Sequence, residues 1–236
     1  MKIERAKQDF ILKFRLGVEV YSMYRIGYID DEPTQFENYA RKIKRRCKDL
    51  ELVLLSGCKT KSEFLEKIYE EQIDVLLIDY RMTTTFGFNG TTLVNYINDH
   101  VRDLECFIFT AVDKEHITDG LVAERNRFPK TVFDTEAGDS KKVEEFNNFI
   151  KALIESADVY RNRKKQKLER YKELLEKKKN KCLGSEEEEF LDLYKVLSSY
   201  GLVEELPGKI LNSEFDETID ELLKIGNEIV KKHQDE

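Results

Sequence analysis

DVLLIDYRM, residues 74–82, is the stretch on which the fold turns. From Val75 to Ile78 it has no polar residue. Such a run suits a strand covered on both faces, as in a parallel sheet sandwiched between helices, better than the alternating pattern of a strand with one wet face. It then stops at Asp79. A carboxylate at the end of an apolar strand costs several kcal/mol unless it is paired or solvated. An earlier run, RIGYIDDEP at 25–33, ends the same way, on Asp30 and Asp31.

Working outward from these two runs, the chain alternates. RIGYID (25–30), LELVLLS (50–56), DVLLID (74–79), ECFIFTA (105–111) and KTVFDTE (130–136) read as five strands. Between them lie helical faces. Phe36, Tyr39, Ala40, Ile43 and Cys47 follow the helical period, and Ser62 can cap a helix carrying Phe64, Leu65 and Ile68. Asn89-Gly90 opens a helix with Leu93, Val94 and Ile97. Residues 114–125 carry Ile117, Leu121 and Val122. From Asp139 or Ser140 a helix presents Val143, Phe146, Phe149, Ile150 and Leu153. Five such repeats predict an α/β fold, a five-stranded parallel doubly wound sheet over residues 25–158. Its functional edge lies beyond the carboxyl ends of the strands, where Asp30, Asp31, Asp79 and Thr110 converge.

The flanks differ. Residues 1–24 form an N-terminal extension whose apolar residues have no clean period. Residues 159–236 read as an α-helical C-terminal module. Within it, residues 161–181 hold 11 Lys or Arg against 3 Glu, a net +8, over a thin stripe of Leu168, Tyr171 and Leu175. This predicts a long solvated helix with coiled-coil character, supported by pairs such as Glu173 with Lys177. Ser185 with Glu188 has the form of a capping box; Pro207-Gly208 marks a turn, and Ser213 begins a last helix.

Composition bounds the function. Charged residues make up 37% of the 236 and the net charge is −7, which argues against a general nucleic-acid binder. No apolar run reaches the roughly 18–20 residues of a membrane span. The four cysteines form no C-x-x-C pair and read as reduced thiols of a cytoplasmic protein. The sequence has no P-loop, no G-x-G-x-x-G after the first strand and no G-x-S-x-G elbow. Three carboxylates at one edge repel one another, and Mg²⁺ with its preference for hard oxygen ligands is the natural neutraliser.

IDDE at 29–32, LLIDYRM at 76–82, NG at 89–90 and FTA at 109–111 together resemble the receiver domain of bacterial response regulators, of the CheY type, over about residues 25–157. The resemblance implies sheet order 2-1-3-4-5. It implies Asp79 as phospho-acceptor, Mg²⁺ held by Asp30, Asp31, Asp79 and the backbone carbonyl of Arg81, and Thr110 meeting the phosphoryl group. It further implies Phe133 as the switch aromatic, a histidine kinase or phosphotransfer protein as partner, and no turnover of the ordinary enzymatic kind. Output would pass through protein contacts of the helical module to an unidentified partner, and a homodimer is compatible with it.

Two departures stand out. After Met82 comes TTTFGF, so that Gly90 falls about three residues late. With Phe133 placed in the fifth strand, Glu136 occupies the position of the family's lysine, and Lys130 precedes the strand. That opens two alternatives: a pseudo-receiver acting as a constitutive interaction scaffold, and a decoy receiver that drains phosphoryl groups, as in phage-defence two-component systems.

Overall fold

The computed structural model describes residues 23–101, 103–111, 117, 120–135, 139–180, 182–200 and 202–203. The proposed N-terminal extension up to residue 22, Glu136, Pro207 and the helix expected from Ser213 lie outside them.

Five strands form one parallel sheet: β1 (Tyr24–Ile29), β2 (Leu50–Leu54), β3 (Val75–Ile78), β4 (Cys106–Thr110) and β5 (Arg127–Pro129), in the order β2-β1-β3-β4-β5. The fold is flavodoxin-like. The helices between are α1 (Phe36–Arg46), α2 (Lys61–Glu70), the single turn α3 (Thr83–Phe86) and α4 (Gly90–His100); α5 (Ser140–Lys179) and α6 (Glu187–Ser199) follow.

Alternation along the strands divides the side chains between two faces. Ile26, Tyr28, Leu50, Leu52, Val75, Leu77, Phe107 and Phe109 pack with Tyr39 and Ile43 of α1 and with Phe146, Phe149, Ile150, Leu153 and Ala157 of α5. Leu76, Ile78 and Ile108 point the other way and are fully buried, as are Phe64 of α2 and Leu93 and Ile97 of α4. Helices on both faces are what the uninterrupted VLLI of β3 called for.

Several boundaries differ from the sequence reading. α2 is capped by Thr60, which forms a reciprocal capping box with Glu63. No α-helix spans 114–125 among the described residues; only a 3-10 turn, Glu124–Asn126, precedes β5. β5 itself is Arg127–Pro129, and residues 130–133 form a 3-10 turn after it, so Phe133 is not a strand residue. Apolar Val132 and Phe133 looked like a strand because their burial comes from the α1–α5 core, and two buried residues cannot distinguish periods. β5 is an edge strand, where a proline without an N–H is tolerated. The capping box at Ser185 is not formed: α6 starts from Glu186 with no side-chain cap.

The chain divides into two compact units, residues 1–170 and 171–236. In the first, α5 runs without a break past residue 158. Several of its basic residues there are engaged by carboxylates: Arg161 with Asp74, and Arg163 and Lys167 with Asp103. In the second, Lys177 pairs with Glu186 and Lys178 with Glu187, while Tyr171 stacks on Phe190.

Candidate functional site at the carboxyl edge of the sheet

Register builds the site. Ile29 lies opposite Ile78, so Asp30 and Asp79 leave neighbouring strands side by side. The Asp79 N–H donates to the Ile29 carbonyl at 2.8 Å and extends the ladder to that point. Thr110 ends β4 opposite Pro129, and Lys130 is the next residue. Oxygen atoms of Asp30, Asp31 and Asp79 all lie within 4.8 Å of one another.

Among the described residues, the cation between them is Lys130. Its ammonium is 2.6 Å from Asp30 Oδ2 and 2.9 Å from Asp79 Oδ1. Glu136, expected at the family's lysine position, lies outside the described residues; the expectation that Lys130 precedes the fifth strand is corrected, because β5 ends at Pro129 and Lys130 follows it and reaches the carboxylates. Burial alone would lower the Lys130 ammonium, but its contacts with Asp30 and Asp79 outweigh burial and hold it above its ordinary value.

The two flanking carboxylates differ. Asp79 is 5% exposed. Burial raises its carboxyl above the usual range despite Lys130, helped by the neighbouring charge of Asp30. Its Oδ2 accepts the Arg81 N–H at 2.9 Å. Asp30 is also penalised by burial, but bonds from Lys130, from the Tyr28 hydroxyl and from the Glu32 N–H outweigh that and hold it below the usual range. Asp31 is half-buried, and the Thr85 hydroxyl donates to its Oδ2 at 3.3 Å. Thr110 is buried at 2% exposure.

The insertion after Met82 is taken up as α3, closed by Gly87 in the left-handed region (φ 76°). α4 then begins at Gly90, against the backbone of Asp79. A Cβ there would lie 2.0 Å from the Asp79 carbonyl oxygen. The Gly90 N–H donates to Tyr80 O at 2.9 Å. The late glycine thus meets the Asp79 backbone through one extra turn.

Phe133 is 1% exposed and sits among Tyr39, Phe109, Phe146 and Phe149. Its carbonyl accepts from Lys42 at 2.6 Å. Sequence reasoning did not single out Tyr28 or Thr85, and it set Lys130 before the strand. The signal for Lys130 was the Phe-Pro-Lys triplet at 128–130, since a proline ends an edge strand. Tyr28 left a weaker signal: a phenol two residues before Asp30 on the same face of β1.

No family model and no curated protein matches this chain. Among solved structures it is similar to the response regulator protein TrrA of Thermotoga maritima, crystallised in complex with Mg²⁺-BeF. The identity is 18% and the TM-score 0.39, over 54% of this chain and 99% of that one.

Proposed function

We propose that this chain is a phospho-accepting receiver protein of a two-component system, and that Asp79 takes a phosphoryl group from a histidine kinase or phosphotransfer protein. The observation that carries the reading is Lys130, bridging Asp30 and Asp79 beside buried Thr110 in a flavodoxin-like sheet. That order is shared by receivers and flavodoxins, but an acidic edge that holds Lys130 suits a phosphoryl group and a divalent cation rather than an already anionic flavin phosphate.

The donor set fits Mg²⁺: hard carboxylate oxygens converge, and the Arg81 backbone carbonyl would complete them. When bound, the metal supplies charge screening for the incoming phosphoryl group. The rest belongs to the chain. An Asp79 oxygen forms the new bond to phosphorus as the bond from phosphorus to the donor group breaks, and the donor leaves with its electron pair. Lys130 and the Thr110 hydroxyl receive the phosphoryl oxygens, and the Arg81 N–H keeps the carboxylate oriented. Output through protein contacts of residues 159–236 completes the reading. The scaffold alternative drew its support from Glu136 at the lysine position; Lys130 beside Asp79 speaks for the phospho-accepting reading instead.

The test is incubation with acetyl phosphate and Mg²⁺, followed by intact mass and borohydride trapping. A gain of one phosphoryl group, lost in Asp79→Asn, is expected. No modification of the folded wild type under conditions that label a control receiver would defeat the proposal.

A further inference from the structure

The buried Tyr28 hydroxyl is a part of this edge that phosphoryl chemistry does not call for. Tyr28 is 1% exposed and its ring is held on several sides: stacked on Phe36 at 6.0 Å and edge-on to Tyr39 and Phe109, each at 6.2 Å. A phenylalanine would fill that space equally well. What the tyrosine adds is one O–H, and it donates at 2.5 Å to Asp30 Oδ2.

That same oxygen receives Lys130 at 2.6 Å, while Oδ1 accepts the Glu32 N–H at 2.9 Å. A carboxylate oxygen offers two lone-pair sites, so Oδ2 is saturated. A divalent cation could take Oδ2 only by displacing the phenol or the ammonium. Asp31 contrasts with it: among the described residues its hydrogen-bond partner is Thr85, at 3.3 Å.

We propose that Tyr28 is a positioning residue that commits Asp30 to Lys130, withholds Asp30 Oδ2 from the metal, and so lowers the affinity of the acidic edge for divalent cations. The inference rests on the receiver reading for the presence of a metal, and goes beyond it in assigning a brake on metal affinity to a side chain in the core. The device keeps Lys130 anchored by Asp30 whether or not the edge is loaded. It also leaves Asp31 and Asp79 as the carboxylates that exchange ligands.

The experiment is Mg²⁺ titration followed by amide NMR, with Mn²⁺ relaxation enhancement as a second readout, on wild type, Tyr28→Phe, Asp30→Asn and the double variant. Tyr28→Phe keeps the ring packing and should bind Mg²⁺ at least threefold more tightly. In the Asp30→Asn background the same substitution should change affinity by less than 1.5-fold, because the hydroxyl acts through Asp30. An effect of equal size in both backgrounds would mean a purely structural role and overturn the proposal. So would unchanged or weaker Mg²⁺ binding by folded Tyr28→Phe. If the wild type binds neither Mg²⁺ nor Mn²⁺ at this edge, the receiver reading fails, and this inference with it.

Discussion

Asp30 and Asp79 are the same residue type a few ångströms apart, and their surroundings push them in opposite directions. Asp30 is held below the usual carboxylate range, so its contribution to stability is present above the ordinary value and lost as pH falls through its folded value. Asp79 is held above that range chiefly by burial. Its ionised form therefore costs stability at neutral pH, and the cost is relieved as pH falls through the folded value. Asp79→Asn should consequently raise the thermal midpoint at pH 7 to 8, by an amount that shrinks as the pH is lowered into the carboxylate range. Calorimetry across pH 4 to 8 reads this directly. A midpoint that drops at every pH would mean that the Lys130 contact outweighs the burial cost. Mg²⁺ should stabilise the wild type by mass action and leave the asparagine variant nearly unmoved.

At the scale of elements, the sequence was most legible where one residue pattern admits one answer. VLLI between two turns could only be a doubly covered strand, and Asp79 had to end it. Asp30, Asp31 and Thr110 followed from the same logic and do lie at strand ends. The fifth strand was illegible for a physical reason. It has three residues, Arg127 is not apolar, and the buried pair Val132–Phe133 after it imitates a strand while packing against α1 and α5. That shift of register hid Lys130, and with it the pairing of the acidic edge. The expected helix at 114–125 rested on Ile117, Leu121 and Val122. Arg127 instead donates to the carbonyls of Ile117 and Val122, satisfying backbone groups that a helix would have bonded internally. The turn α3 shows the complementary case: Gly90 was read as displaced, yet the extra turn returns it to contact with Asp79. Gly90→Ala should cost about 1–3 kcal/mol in urea unfolding, because its Cβ meets backbone, not a side chain that can swing away. It should also disturb Asp79, seen as a weakened Mg²⁺ response. Wild-type stability in this variant would show that α4 does not start where Gly90 presses on the Asp79 backbone.

Within residues 1–170 as a whole, the two edges of the sheet carry opposite kinds of charge arrangement. At the carboxyl edge, among the described residues, Asp30 and Asp79 share Lys130, and Asp31 lies close by as a third carboxylate, which leaves negative charge in excess there. At the amino edge, Asp74 is 3% exposed and fully answered. Arg161 reaches it with two bonds, at 3.0 and 2.6 Å, and the Arg25 N–H donates at 3.0 Å. Arg161 also lies over the Tyr24 ring at 4.4 Å. The Tyr24 phenol donates to Asp158, which, with burial adding to it, pushes that phenol up to about 12. The amino edge holds α5 on the sheet, whereas the carboxyl edge, on the proposed function, takes up a ligand. Paired substitutions should separate them. Asp74→Ala strands a half-buried guanidinium and should lower stability by about 2–4 kcal/mol, while the Mg²⁺ affinity of the remaining folded protein stays within twofold of wild type. Asp31→Ala should abolish Mg²⁺ binding at the carboxyl edge and leave stability in metal-free buffer unchanged or higher. Urea unfolding with and without Mg²⁺ measures both quantities on the same samples. If Asp74→Ala weakens Mg²⁺ binding as strongly as it weakens the fold, the two edges are coupled through β1 and β3, and metal binding at one end would then have to be felt by α5 at the other.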